Sequence, residues 1–421
     1  MNTNKKEELA TLFSYIKSKV DKLPISQAKK NQMLEEVLDL KKMTVDSREP
    51  RIALVGRRGA GKSSLINALF GKKEQFVSPV QSGTGMGRWL WYPNETDKKV
   101  KLLDSRGLGE SEQPIEAYKT SFALDEVKRA FTLERPDVFL FLIKAKEADA
   151  RIEEDLRDLK NLREMVKSIY DYEVPVICII TQVDELDPPH YKQVPLDAHP
   201  KKKINIDKSA ELMKRRFVEA KIPLLTILPV SSYIEFDEDG NIEYDMRWNI
   251  DSLSNYLIEA LPRQAQLRMA RALQIMAVKK RYAFTLVSVF AGIAGFIGTE
   301  PIPIADFPVL TAIQGIMIMI IAYIADREVS TKAAGEFITA LGVNVGVALV
   351  VREGVRAVVK LIPAAGNAVS GAVAGAVTFG IGQAAISFYI EGKDLEQAKE
   401  ILKKTNKEFK AKRSRNNSDH E

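Results

Sequence analysis

Apolar residues recur at Leu9, Leu12, Phe13, Ile16, Val20 and Leu23, three or four positions apart, which predicts one face of a helix. Pro24 interrupts the pattern, and Ser26 stands where it can cap a second helix carrying Leu34, Val37 and Leu38. Residues 1–49 therefore read as a helical arm whose apolar stripe needs a partner further along the chain. From Arg51 the period changes. Apolar runs at 52–55, 88–92, 100–103, 137–145, 175–180 and 224–230 read as strands, with amphipathic helices such as 151–170 between them. This alternation predicts an α/β fold over 50–262, a doubly wound, mostly parallel sheet. Asp239-Gly240 marks a hairpin turn near its end, and 251–261 a closing helix. The stretch 191–203, rich in proline and lysine, reads as a loop with solvated lysines.

Beyond Pro262 the pattern changes again. Arg263, Arg268, Arg271, Lys279, Lys280 and Arg281 occur with no acid among them, opposite an apolar stripe of Met269, Leu273, Met276 and Ala277, as on one basic helix. Uncharged runs follow at 283–299, 307–325, 337–351 and 361–390. They predict an all-α, very apolar domain over 263–408, then a charged tail, 409–421, expected to be disordered. Only 307–325 has a length suited to one bilayer crossing, whereas 361–390 is diluted by alanine and glycine. Gly371-x-x-x-Gly375 suits close contact between helices. A membrane-associated domain and a soluble bundle with an apolar core both fit this pattern.

Composition narrows the picture a little. A chain of 421 residues suggests two or three domains. One cysteine, Cys178, excludes an intrachain disulfide and points to a reducing compartment. His190, His199 and His420 have no metal-ligand spacing. The N-terminus lacks the apolar core of a secretion signal. A net charge of +6 allows anionic partners, nucleic acid or lipid, without choosing between them.

The chemistry concentrates at strand ends. Gly56-Arg57-Arg58-Gly59-Ala60-Gly61-Lys62-Ser63-Ser64 fits G-x-x-x-x-G-K-[ST] between a strand and a helix, the context of a phosphate-binding P-loop. Its backbone N–H groups and the helix N-terminus would cradle phosphates, Lys62 would reach the β- and γ-phosphates, and Ser63 would ligate Mg²⁺. Asp104-Ser105-Arg106-Gly107 fits D-x-x-G, where Asp104 would hold Mg²⁺ through water and the Gly107 N–H would meet the γ-phosphate. Thr84, between the two, is the candidate switch threonine that ligates Mg²⁺. Thr181-Gln182-Val183-Asp184 resembles [NT]-K-x-D, in which Asp184 would accept hydrogen bonds from guanine N1–H and its amine. Gln182 replaces the usual lysine, and Ser231-Ser232 resembles the last base-contacting loop, the Ser232 N–H meeting guanine O6.

Together these residues resemble the translation-factor-related GTPases, nearest the Era branch. The resemblance covers about 51–261 and implies binding of GTP and GDP with Mg²⁺ and slow hydrolysis to GDP and phosphate. There are departures. Gly59 stands where the family often has asparagine, and Leu108 follows D-x-x-G where Ras-type enzymes carry a water-orienting glutamine. Arg106 replaces a common proline and is a candidate arginine supplied in cis, joining Lys62, Thr84 and Gly107 as candidate catalytic groups. The segment from Pro301 to Gln314 resembles the helical domain of YcjF-like proteins, which implies a bacterial GTPase of membrane-associated type.

Three functions compete. The first is a GTP switch whose helical domain meets an anionic membrane surface at the cytoplasmic face. The second is an Era-like RNA or ribosome GTPase, although no K-homology GXXG segment within a βαα pattern is found. The third is a nucleotide-binding scaffold with negligible turnover. A homo-oligomer is compatible with all three, and DNA is not among the expected partners.

Overall fold

The computed structural model describes residues 3–21, 26–57, 59–71, 89–93, 98–104, 127–147, 152–297, 307–327, 330–342 and 371–418. They divide into two compact units, 48–275 and a second formed by 1–47 together with 276–421. The boundary expected at 262 thus falls at 275, and the N-terminal arm is part of the helical unit, not a domain of its own.

In the first unit, β1 (Arg51–Val55), β2 (Leu90–Pro93), β3 (Lys98–Asp104), β4 (Val138–Lys144), β5 (Val176–Thr181) and β6 (Thr226–Pro229) form one sheet in the order β2-β3-β1-β4-β5-β6. All neighbours are parallel except β2, antiparallel at the edge. β4 and β5 are buried almost throughout, as a central strand covered on both faces must be, so they read as continuous apolar runs. The helices α3 (Lys62–Phe70), α4 (Ile152–Tyr170), α5 (Pro200–Glu219), α6 (Ile250–Ala260) and α7 (Arg263–Ala272) belong to this unit. Phe141 of β4 meets Phe217 of α5 edge to face, ring centroids 5.5 Å apart, in the main core. Such a ring contributes about 1.5–3 kcal/mol by leaving water. Cys178 is fully buried and free in β5, its thiol pushed up by burial alone.

The strand starts are fastened by ions. Asp137, fully buried before β4, accepts from Arg48 Nη1 at 2.7 Å and Nη2 at 2.6 Å, and from the Arg51 N–H at 3.0 Å. A buried carboxylate needs this many donors. Beyond β6, β7 (Ile234–Phe236) and β8 (Ile242–Asp245) make the expected hairpin, with Asp237 Oδ1 accepting from the Asn241 N–H at 2.7 Å.

The single basic helix expected over 263–281 is two helices. α7 ends at Ala272, with Leu273 as its C-cap, and the next helix, α8 (Met276–Ile297), begins in the other unit. The reason lies in α7's burial: Ala265, Leu267, Met269, Ala270 and Ala272 are covered, and Arg268 pairs with Glu49 of its own unit.

The helical unit contains α1 (Thr3–Asp21), α2 (Gln27–Thr44), α8 (Met276–Ile297), α9 (Phe307–Ile324), α10 (Thr331–Ala340), α11 (Gly371–Ala385), a π turn (Ile386–Ile390) and α12 (Leu395–Ser418). α9 is buried on every side from Leu310 to Ile324, packed by α1, α8, α10 and α11. The stretch suited in length to a bilayer is therefore enclosed by protein, with the stripe Leu9, Leu12, Phe13, Ile16 and Val20 buried in the same unit. At Gly375 a Cβ would stand 3.0 Å from the Ala291 carbonyl oxygen, the close helix contact expected of the small-residue pattern. Gln314 Nε2 donates to Thr378 Oγ1 at 3.0 Å, a paired polar contact inside an apolar core. Among the described residues one stretch, Val373–Ile390, is long and apolar enough to cross a membrane, and 56% of it is buried within the protein. Residues 409–418 of the expected tail continue α12 as helix, since no glycine or proline interrupts its run of helix formers.

Candidate functional site

The carboxyl ends of the strands line up along one edge of the sheet. Val55 pairs with Phe141, Lys144 with Thr181 and Ile180 with Pro229. Ligands of doubly wound sheets bind at this edge.

Gly56 leaves β1 against β4. A Cβ there would stand 2.5 Å from the Leu142 carbonyl oxygen, so a larger residue would push the strands apart. The loop closes at Gly61, whose φ of +82° caps α3 in the left-handed region. Lys62 begins that helix. Its side chain, 6% exposed, turns back so that Nζ donates to the carbonyls of Gly56 and of Arg57, the latter at 2.9 Å. An ammonium is thereby held inside the loop, beside the positive end of the helix, an arrangement built for anions. Ser63 is half-buried on the same first turn, and Ser64 is exposed.

Arg57 faces away from the loop. Its Nε donates to Asp155 Oδ1 at 2.9 Å and its Nη2 lies 3.9 Å from Glu154 Oε2, both on α4. Burial holds the Asp155 carboxyl above its usual range, against the pull of Arg57. Asp158, one turn on, is pushed up to about 6, first by burial and then by the charges of Asp155 and Glu154.

Thr181 ends β5 and is buried. Its hydroxyl donates to the Ala60 carbonyl at 2.9 Å, with the Ile143 carbonyl a second acceptor at 3.3 Å. Gln182, left-handed at φ 58°, lays its side chain over the P-loop, and its Nε2 donates to the Gly59 carbonyl at 3.2 Å. The lost lysine charge is replaced by a neutral amide that still spans the two loops. Asp184 lies in the 3₁₀ turn Val183–Glu185. The Val183 N–H donates to the Val230 carbonyl at 3.4 Å, drawing this turn to the end of β6. There Ser231 exchanges both backbone hydrogen bonds with Trp248, at 3.2 and 3.0 Å. The Ser231 and Ser232 hydroxyl oxygens are buried without a hydrogen-bond partner among the described residues.

Lys202 departs from the sequence reading. It lies on the first turn of α5, fully buried, and its Nζ donates to the Asp184 carbonyl at 2.6 Å. Burial lowers its pKa, and the neighbouring Asp184 charge opposes the shift. The same helix start supplies Asn205 Nδ2, which donates to the Asp187 carbonyl at 3.0 Å. The turn carrying Asp184 is thus clamped from outside by α5. Lys202 and Asp155 have no sequence signal beyond a helical spacing that puts them on an inward face.

Asp104 ends β3 opposite Leu54, beside the P-loop strand. Arg58, Thr84, Arg106 and Gly107 lie outside the described residues, as does Leu108. The structure therefore brings together Gly56, Arg57, Gly59, Ala60, Gly61, Lys62, Ser63, Thr181, Gln182, Asp184, Ser231 and Ser232 around one sheet edge.

The sheet and the glycine-rich loop define the fold class: a mostly parallel α/β domain of P-loop type. Residues 51–182 match the family model described as 50S ribosome-binding GTPase. Over 137 residues, 32% of this chain, the sequence is 28% identical to the GTPase Era of Lactobacillus delbrueckii subsp. bulgaricus, covering 40% of that protein. Over 145 residues, 34% of this chain, it is 30% identical to the GTPase Der of Rippkaea orientalis, covering 29% of that protein. The crystal structure of a probable GTP-binding protein engB aligns with a TM-score of 0.32 and 20% identity, covering 50% of this chain and 97% of that one. The chain spans less than half the length of these curated relatives. The family match ends at Gln182, before Asp184, Ser231 and Ser232.

Proposed function

We propose that the G domain binds GTP and GDP and hydrolyses GTP slowly, as a switch. The observation that carries this reading is the Lys62 ammonium held inside a glycine-cornered loop on the sheet edge that also carries Asp184. Backbone N–H groups of 56–64 would hold the phosphates, and Lys62 would neutralise the β- and γ-phosphate charge. Asp184 would accept from guanine, and the Ser232 N–H would meet its O6. Magnesium fits the Ser63 hydroxyl on the first turn of α3, an oxygen donor of the kind the ion prefers. Ser63, Thr84 and, through water, Asp104 would hold it, and bound there it neutralises charge between the phosphates. The Gly107 N–H would orient the γ-phosphate, with Arg106 as an added cation, and Leu108 supplies nothing to orient water, which favours slow turnover. A fluorescent-GTP titration tests the reading: Lys62→Ala and Ser63→Asn should lose Mg·GTP binding, and parental affinity in either would overturn it.

For the partner, an anionic membrane at the cytoplasmic face is favoured by α8, where Met276, Phe284 and Val289 are exposed on the helix that carries Lys280 and Arg281. A ribosomal partner is favoured by the description of the matching family. Flotation with anionic liposomes, against salt-sensitive sedimentation with ribosomes, decides between them.

A further inference from the structure

A cleft of about 570 Å³ opens in the helical unit where α8, the π turn and α12 meet. It lies wholly within that unit. Its wall includes Lys280, Lys393 and Lys404. Two features make it more than a gap between helices. Ser387, on the π turn and 2% exposed, has a hydroxyl with no hydrogen-bond partner among the described residues. Gln383, one turn earlier, has a buried Nε2 in the same condition. Both line the cleft. Buried donors without acceptors are uncommon, because each gives up its hydrogen bonds to water for nothing in return.

The ionic surroundings point to the sign of the missing acceptor. Glu391 bonds to both Lys280 and Lys393, the latter at 2.7 Å, and these two cations hold its carboxyl below the usual range. One carboxylate is thus shared by two ammonium groups, leaving a positive charge over. Lys404 adds another, and Glu408 is the remaining acid on the wall. Phe284, Ile386 and Ile401 supply an apolar side. A π turn interrupts the regular helix where Ser387 sits, one turn after Gln383, and such interruptions are frequent at functional sites.

We propose that this cleft binds a phosphate ester carrying an apolar group. The phosphate oxygens would accept from Ser387 Oγ and Gln383 Nε2 and pair with Lys404, while the apolar group would lie against Phe284 and Ile401. A soluble phosphomonoester and the headgroup of an anionic phospholipid share this chemistry.

Titration calorimetry of phenyl phosphate into the full-length protein, with its G domain saturated by Mg·GDP, tests the site. Saturable binding is expected, weakened about tenfold by Ser387→Ala and by Lys404→Ala, the scale of one hydrogen bond to a charged group. Neither substitution should change GDP affinity. Ser387→Ala removes a hydroxyl without a hydrogen-bond partner among the described residues, so the unliganded melting temperature should not fall, and Lys404 is exposed. Flotation with phosphatidylcholine vesicles, with and without phosphatidic acid, separates the sources. Retention by phosphatidic acid that both variants weaken assigns a lipid headgroup. Phenyl phosphate binding without retention assigns a soluble ester. Absence of saturable phenyl phosphate binding, or binding that both variants leave unchanged, overturns the proposal.

Discussion

The Thr181 hydroxyl donates to the Ala60 carbonyl at 2.9 Å, so one buried hydrogen bond joins the end of β5 to the P-loop across 121 residues of sequence. Thr181→Val keeps the shape and removes the donor. The Ala60 carbonyl is then left without that partner, at a cost of about 1–3 kcal/mol. Affinity for GDP should fall about tenfold or more, measured by titration with a fluorescent nucleotide. Unchanged affinity would show that the two loops are set independently.

Asp184 tests base selection directly. The parent protein should prefer guanine to adenine nucleotides by about 10⁴ or more, as sites built on buried hydrogen bonds do. Asp184→Asn should move the preference toward xanthine, because an amide can donate to the oxygen that replaces the guanine amine. Competition with unlabelled GTP, ATP and XTP reads the outcome.

Lys202 is a positioning residue in this scheme, since it meets the Asp184 backbone and not the base. Lys202→Met keeps the buried stem and removes the donor. GTP affinity should fall about tenfold. Stability should change little, because the buried ammonium no longer has to be desolvated. A chemical denaturation midpoint that falls together with affinity would assign Lys202 to folding alone.

Asp158 predicts a pH dependence. Its folded pKa of about 6 lies above the unfolded value near 3.9, so the folded state binds the extra proton, and stability declines as pH rises from about 4 through 6. Asp158→Asn should therefore stabilise the protein at pH 8 by about 1 kcal/mol, a figure already reduced for solvent screening, and the gain should vanish near pH 4. Thermal melts of both proteins across that range check the sign.

The P-loop, the strand runs and the hairpin were legible because each is a local matter. Gly56 and Gly61 stand where the backbone needs a close approach or a positive φ, and the runs at β4 and β5 need only continuous apolar residues. The burial of Lys202 was not legible. A lysine in a proline-rich stretch looks solvated until α5 turns it beneath Asp184. The pairing of Arg57 with Asp155 was hidden in the same way, by a separation of 98 positions along the chain.

By itself the sequence determined which segments become strands and helices and where the glycine-rich loop between β1 and α3 falls, because periodicity and a tight loop depend on near neighbours. Only the tertiary structure decided what the apolar helices are for each other. The run 310–324 has the composition of a membrane span, yet α1 from the far end of the chain, with α8, α10 and α11, covers it. Whether an apolar surface meets lipid or protein depends on what else the chain can bring to it, and that is a property of packing between distant segments.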